Sequence, residues 1–176
     1  MFDVLKQKIA RFIVQRKFLK EKNISTSFNG FFKNAGNFLI ILPEKEDDFN
    51  LSLIIPEYLR SVQKNVELVV FEPQLSLIHE NYKYRSFTYG INEKTKLNLP
   101  AQKLLTELRT RFYDIVIDLN LIGDEFSGAI TNAVKANYRI GFESEKSDGL
   151  YNIQIKNINK DPKTSYNNLL EALKMF

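Results

Sequence analysis

Apolar residues change their spacing along the chain. Between residues 2 and 22 they recur every three or four positions, and this predicts one face of a helix formed by Phe2, Leu5, Ile9, Phe12 and Ile13. From Phe38 onward, short continuous apolar runs alternate with segments of helical spacing. Such runs are typical of strands buried on both faces. The pattern predicts a basic amphipathic N-terminal helix and linker, residues 1–36, followed by an α/β domain, residues 37–176.

Six strand-like runs and five helical segments make up the predicted domain. The strands are expected at Phe38–Leu42, Val66–Phe71, Tyr84–Tyr89, Tyr113–Leu119, Tyr138–Gly141 and Tyr151–Ile155. The helices are expected at Ser52–Val62, Pro73–His79, Pro100–Phe112, Asp124–Lys135 and Pro162–Phe176. This alternation predicts a Rossmann-like, doubly wound parallel sheet. Ligands bind such a sheet at the carboxyl ends of its strands, so the loops after Leu42, Phe71 and Leu119 are the candidates for function.

The net charge of +4 is unevenly distributed. Residues 1–33 hold eight basic and two acidic residues, so the rest of the chain is slightly acidic. One interpretation is that the helix lies on an anionic membrane, with Lys6, Lys8, Arg11 and Lys17 at the headgroups. The alternative is that its apolar stripe packs on the domain and its lysines are solvated. Nucleic acid is disfavoured, because the arm's aromatic residues share the apolar face and the domain is acidic.

Composition excludes several kinds of site. Without Cys there is no disulfide, thiolate metal site or cysteine nucleophile, and the single His79, in a polar stretch, is expected on the surface. No apolar run has the length of a signal peptide core or a membrane span. We expect neither a metal nor a cofactor, and a cytoplasmic protein that is peripheral at the inner face of the membrane if the arm binds lipid.

The loop after the first predicted strand is acidic. It contains Glu44, Glu46, Asp47 and Asp48 but no glycine. Dinucleotide and P-loop sites need a glycine-rich turn here so that the backbone can approach phosphates, and carboxylates would repel those phosphates. Carboxylates suit a general base or a polyhydroxylated ligand. A solvated loop in which Asp48 caps the following helix is the alternative.

Polar residues also follow the strand Tyr113–Leu119. Asp118 ends an apolar run, where a carboxylate needs a partner. It either orients a ligand, with Asn120 beside it, or caps backbone amides. Asp124 is expected to be the N-cap of the next helix, with Gly123 in the turn before it.

Two segments resemble strands of glycosyltransferase family 9, the lipopolysaccharide heptosyltransferases. Residues 111–120, RFYDIVIDLN, resemble the family's "YDlvIDLq" strand, and residues 136–142, ANYRIGF, resemble its "a.yRIGf" strand at similar spacing. Upstream, Phe38–Leu42, Asp48 and Pro56–Arg60 are similar to the first strand, the "GD" loop and the "tPalr" helix. The resemblance covers residues 37–176.

The resemblance implies a GT-B architecture, in which two Rossmann-like lobes face each other. The N-terminal lobe of that family binds a lipid-linked saccharide acceptor and supplies an Asp as catalytic base, while the other lobe binds the nucleotide-sugar donor. Asp48 matches the base, and Asp47 is its neighbour in the substrate site. The implied mechanism is an inverting displacement in which the carboxylate deprotonates an acceptor hydroxyl.

Three features differ from the family pattern. Asp47 replaces the Gly before the base and the spacing to Pro56 is longer, an arm precedes the first strand, and no donor lobe follows the last helix. We therefore expect the donor lobe on a separate chain and no transferase activity from this chain alone. Two functions remain open: an acceptor-binding lobe in lipopolysaccharide or surface polysaccharide assembly, or a non-catalytic binding or scaffolding protein that keeps the fold.

Overall fold

The computed structural model describes residues 2–19, 30–80, 85–144, 147, 149–157 and 161–175. Within these ranges, six strands form one parallel sheet in the order β3-β2-β1-β4-β5-β6, the Rossmann-like order. The strands are β1 (Asn37–Ile41), β2 (Asn65–Phe71), β3 (Ser86–Tyr89), β4 (Phe112–Asp118), β5 (Lys135–Phe142) and β6 (Ile153–Ile155). The predicted fold class is confirmed, and each strand lies within three residues of its predicted bounds.

Helices connect and cover the strands. They are α1 (Phe2–Phe18), α2 (Phe31–Asn34), α3 (Glu46–Ser52), α4 (Ile54–Ser61), α5 (Gln102–Leu108), α6 (Glu125–Ala133) and α7 (Pro162–Met175). Two 3-10 helices, Glu72–Leu77 and Ile91–Glu93, flank β3. The N-terminal helix therefore ends within the predicted range; residues 20–29, part of the predicted helix and linker, lie outside the described residues.

Both faces of the sheet are buried, which explains the continuous apolar runs. On one face, helices α2, α3, α4 and α7 cover strand residues that include Phe38, Ile40, Leu68, Val70, Ile115 and Ile117. On the other face, α5 and α6 cover Leu39, Ile41, Val69, Tyr113 and Val116. Phe31 and Phe32 of α2 belong to the first face and are buried, although they precede the predicted start of the domain at residue 37.

The acidic segment after β1 corrects the sequence prediction. It is not a loop: Glu46, Asp47 and Asp48 form the first turn of α3. Lys45 is the N-cap, and no side chain caps the helix, so the predicted capping role of Asp48 is wrong. Negative charge in a first turn interacts favourably with the helix dipole, which explains why this segment is helical. The helix predicted from Ser52 is α4, beginning at Ile54 with Pro56 in its first turn.

Phe112 is a second correction. The sequence placed it in the buried stripe of the helix after Pro100, but α5 ends at Leu108 and Phe112 opens β4. Its side chain is 53% exposed. The apolar residues from Leu105 to Phe112 keep a helical spacing past the end of α5 and through the turn before β4. In that turn the spacing does not correspond to one face of a helix.

Helix α1 packs on the domain, but only Ile13 of the predicted stripe takes part among the described side chains, and it is half-buried. Ala10 and Val14 are buried against Ala129 of α6 and against the segment that precedes β6. Leu5, Ile9 and Phe12 instead face outward, with exposed fractions of 57%, 42% and 58%. Ala10 and Ala129 belong to the same buried cluster, and small residues let two helices approach closely. The helix therefore keeps Leu5, Ile9 and Phe12 in solvent while Val14 is buried and Ile13 and Phe18 are half-buried.

Candidate site at the carboxyl ends of strands 1 and 4

The order of the strands reverses between β1 and β4. The chain leaves β1 toward β2 on one side and leaves β4 toward β5 on the other, so the two following loops separate. In open α/β sheets the ligand crevice lies at this switch point. Ile41 pairs with Asp118 at the last position of the two strands, and the Leu119 amide donates to the Ile41 carbonyl at 3.0 Å. The crevice therefore begins beyond Leu42 and Leu119.

Asp48 lies in the first turn of α3, the helix that follows β1. Its Oδ1 is shielded from solvent and has no hydrogen-bond partner among the described residues, while the Lys45 Nζ lies 3.6 Å away. The side chain is 17% exposed. Burial, and then the charges of Asp48 and Asp118, raise the pKa of the Tyr166 hydroxyl, which donates to the Leu119 carbonyl at 3.0 Å. Among the described residues no hydrogen bond uses the Asp48 Oδ1, so it keeps an unused capacity to accept one.

Asp118 is fully buried and satisfied within the protein. Its Oδ1 accepts from the Asn120 amide at 3.0 Å and from Asn120 Nδ2 at 2.8 Å, and its Oδ2 accepts from the Tyr151 hydroxyl at 2.7 Å. Burial raises the pKa of this carboxyl, although these hydrogen bonds oppose the rise. Of the two interpretations of Asp118, the structure shows the capping of a backbone amide. Asn120 is engaged by the same carboxylate.

Asp124 is the N-cap of α6, as predicted. Its Oδ1 accepts from the Ser127 amide at 2.7 Å. Burial, followed by the charge of Asp118, raises the pKa of Asp124 from 3.8 to about 6. Asp118 and Asp124 thus lie at the two ends of the loop after β4. The pKa of each carboxyl is higher than in the unfolded chain.

Asp124→Asn is expected to remove a pH dependence of stability. The raised pKa means that the native state binds a proton more tightly, so the associated stability is present below about pH 4 and is lost as the pH rises through about 6. Asparagine caps helices as well as aspartate does but carries no charge. At pH 7 the variant should gain about 1–2 kcal/mol of unfolding free energy. Urea unfolding at pH 4.5 and 7 measures this; parallel pH profiles for variant and wild type would contradict it.

The ammonium group of Lys94 lies among aromatic rings on the side of the crevice nearest β3. Lys94 pairs with the Glu44 carboxylate, and its Nζ lies 5.5, 5.5 and 5.1 Å from the ring centroids of Phe71, Tyr89 and Phe126. The Tyr89 hydroxyl donates to Glu44 Oε1 at 3.0 Å. These contacts fix the loop after β1 and hold Glu44 there. The sequence did not identify Lys94, because it comes from an irregular connection after β3.

The RIGF segment has packing roles in this fold. A Cβ on Gly141 would lie 2.5 Å from the Tyr151 ring, so only glycine lets the ring reach Asp118. Arg139 donates to the carbonyls of Thr131 at 3.0 Å and Val134 at 3.3 Å, at the end of α6. These contacts satisfy helix carbonyls that lack a partner. Gly141 and Arg139 therefore stabilise the packing around the site, and neither residue enters the crevice.

The remaining predicted site residues lie at the surface. Asp47 is exposed at the start of α3, and His79 is exposed as expected. Lys6, Lys8 and Lys17 are exposed on α1, and Arg11 is half-buried beside a small cavity that Asp124 and Glu125 also line. Among the described residues, no group of three or more His, Asp or Glu side chains is arranged to hold a metal. In the same part of the chain, no helix combines the length and apolarity that crossing a bilayer requires.

Comparison with protein-family models, with curated proteins and with solved structures finds no match for this chain. The resemblance to glycosyltransferase family 9 therefore rests on the two strand segments and the acidic segment of the sequence. The Rossmann-like fold hosts many unrelated activities, so it does not select one.

Proposed function

We propose that this chain is an acceptor-type lobe of the glycosyltransferase family 9 kind, associated with lipopolysaccharide or surface polysaccharide assembly. It binds a saccharide, free or lipid-linked, at the crevice between β1 and β4, and transfer requires a donor-binding lobe in addition to this acceptor lobe. The proposed location is the cytoplasm, at the inner face of the membrane. The observation that carries the proposal is the Asp48 carboxylate, in the helix that follows β1, whose buried Oδ1 has no hydrogen-bond partner among the described residues.

The charge of the crevice supports a neutral, hydroxyl-rich ligand. Glu44 and Asp48 follow β1 and Asp124 follows β4, the two strands that border it, and carboxylate oxygens accept hydrogen bonds from hydroxyl groups. The N-terminus of α3, where a Rossmann-like domain would bind a phosphate, carries Glu46, Asp47 and Asp48 instead. Three negative charges in this turn oppose the binding of a pyrophosphate. A nucleotide cofactor is therefore disfavoured at this position.

The proposed chemistry assigns one role to Asp48. The carboxylate accepts the proton of an acceptor hydroxyl as that oxygen attacks the anomeric carbon of the donor sugar, and the nucleoside diphosphate leaves with the bonding electrons. Asp118 has a positioning role, since its bonds to Tyr151 and Asn120 hold the β4 loop behind the crevice. Lys94 has a similar role for the β1 loop through Glu44.

Asp48→Asn is expected to weaken saccharide binding. An acceptor oligosaccharide of the lipopolysaccharide inner core should perturb amide resonances of residues after β1 and β4, and the variant should bind it roughly tenfold more weakly because a charged acceptor of hydrogen bonds becomes neutral. Titration by NMR measures both. Glu57→Gln, which removes a charge from the exposed side of α4, is the matched control and should bind like wild type.

Turnover measurements distinguish an acceptor lobe that takes part in sugar transfer from a non-catalytic binding protein. The purified chain should not consume a nucleotide sugar, whereas addition of a donor lobe should permit transfer that Asp48→Asn abolishes. Saccharide binding without transfer under any pairing would identify the non-catalytic alternative. Binding of a dinucleotide in place of the saccharide, or equal saccharide affinity of Asp48→Asn and wild type, would overturn the proposal.

A further inference from the structure

Helix α1 presents an apolar strip that the described part of the domain does not cover. Leu5, Ile9 and Phe12, here called the outer strip, are spaced by four and three residues and are 57%, 42% and 58% exposed. Exposed apolar side chains are ordinary when scattered, but three in succession along one helix face mark a binding surface. The same helix buries Ala10 and Val14 on its opposite side. The outer strip is therefore a second apolar face of a helix that is already packed.

The outer strip is held in place by the domain. Val14 and Leu19 belong to a cluster with Leu150 and Ala129, and the Arg109 guanidinium lies 5.8 Å from the Phe18 ring centroid. These contacts anchor α1 over the middle and the end of its length. A surface that is already ordered loses little conformational entropy when it binds. The strip thus behaves as a preformed docking face.

Positive charge flanks the outer strip. Lys8 and Arg16 are exposed on the same side of the helix, and the Arg16 guanidinium lies 5.7 Å from the Phe12 ring centroid. Lys6 and Lys17 are also exposed. Residues 2–19 contain five basic residues and only one acidic residue. Apolar and basic side chains thus alternate over one outward face.

We propose that the outer strip docks on an anionic lipid bilayer, with its apolar side chains at the acyl boundary and Lys8 and Arg16 at the headgroups. Interfacial helices bind bilayers through this combination of a buried apolar face and a basic rim. A nucleic acid would use the charges but would leave Phe12 and Ile9 in water. The net negative charge of residues 34–176 also repels polyphosphates while leaving α1 as the attractive surface.

Docking through the outer strip brings the bilayer next to the proposed crevice. On the inner side of α1, Arg11, Gln15 and Leu19 border Asp124 and Glu125, which stand at the start of α6. A single helix therefore separates the membrane from the loop after β4. Docking depends on the exposure and charge of α1 and not on the saccharide that the crevice binds.

Because the protein contains no Trp, one substitution provides a specific probe. Phe12→Trp places the fluorophore in the outer strip, and Phe112→Trp places it at a similarly exposed position on β4, with exposed fractions of 58% and 53% for the native residues. With vesicles of phosphatidylcholine and phosphatidylglycerol at low salt, emission of Phe12→Trp should shift to shorter wavelength and be quenched by brominated lipids. Emission of Phe112→Trp should not change.

Co-sedimentation then separates the charged and apolar contributions. Lys8→Gln/Arg16→Gln should lower the partition coefficient by roughly 25-fold, and Ile9→Ser/Phe12→Ser by roughly tenfold. The control Lys103→Gln/Lys163→Gln removes two exposed charges away from α1 and should change it less than about fivefold. No binding to anionic vesicles at low salt would overturn the proposal. So would salt-sensitive binding to DNA without a Trp shift on vesicles, or an effect of the control as large as that of Lys8→Gln/Arg16→Gln.

Discussion

Gly141→Ala is expected to lower the free energy of unfolding by about 3 kcal/mol, because overpacking a core costs about 1–3 kcal/mol and a lost buried hydrogen bond adds to it. The new Cβ would lie 2.5 Å from the Tyr151 ring. The ring must move, and its hydroxyl then loses Asp118 Oδ2, which it reaches at 2.7 Å. In a chain of this length the melting temperature should fall by roughly 6–12 °C. Thermal and urea unfolding measure the loss.

Gly36→Ala provides the control for Gly141→Ala. A Cβ there would meet only the Asp114 carboxylate, at the ordinary contact distance of 3.8 Å. Its unfolding free energy should therefore equal or exceed that of wild type. Combining Gly141→Ala with Tyr151→Ala should cost less than the sum of the two single changes, since the clash requires both side chains. Additive effects would contradict the proposed contact.

Asp118→Ala is expected to be about as damaging, again by about 3 kcal/mol. The substitution leaves the Tyr151 hydroxyl and the Asn120 amide without their acceptor. Tyr151→Phe removes only one of the hydrogen bonds to this carboxylate, so alone it should cost about 1 kcal/mol less. A double-mutant cycle should give a coupling of about 1–2 kcal/mol.

Asp118→Asn is the conservative partner of Asp118→Ala. It keeps one acceptor oxygen and removes the charge whose burial raises the pKa of this carboxyl, so it should recover at least half of the loss at pH 7. Chemical unfolding at pH 7 compares the three variants. A fully tolerated Asp118→Ala would show that the carboxylate does not support the β4 loop.

The strands of the sheet could be predicted because each one is marked by a short apolar run within its own sequence. Central strands such as β1 and β4 are buried on both faces, and this requires continuous apolar runs that are visible in the sequence. The helix α3 was missed because its acidic first turn looks like a solvated loop. The packed face of α1 was missed for a different reason: the domain covers a face centred on Ala10 and Val14, and most of the predicted stripe lies outside it. Ala10 forms that contact, and a small residue carries little weight in an apolar pattern.

Positions at strand ends were predictable, but their partners were not. Asp118 and Asp48 follow from the rule that ligands bind at the carboxyl ends of parallel strands. Tyr151 reaches Asp118 across 33 residues of sequence, and Lys94 reaches Glu44 across 50. No local spacing encodes contacts of that separation. The role of Gly141 likewise depends on a ring that arrives later in the chain.

The central place of β1 shapes the synthesis of the protein. β1 pairs with β2 soon after both are made, but Phe38 pairs with Ile115, which is 77 positions later. At about 5–20 residues per second, one edge of β1 waits roughly 4–15 s for its neighbour. An unpaired apolar edge can pair with other chains, and Phe38–Ile41 are fully apolar. During synthesis on the ribosome, β1 therefore has an unpaired apolar edge that can associate with other chains until β4 emerges.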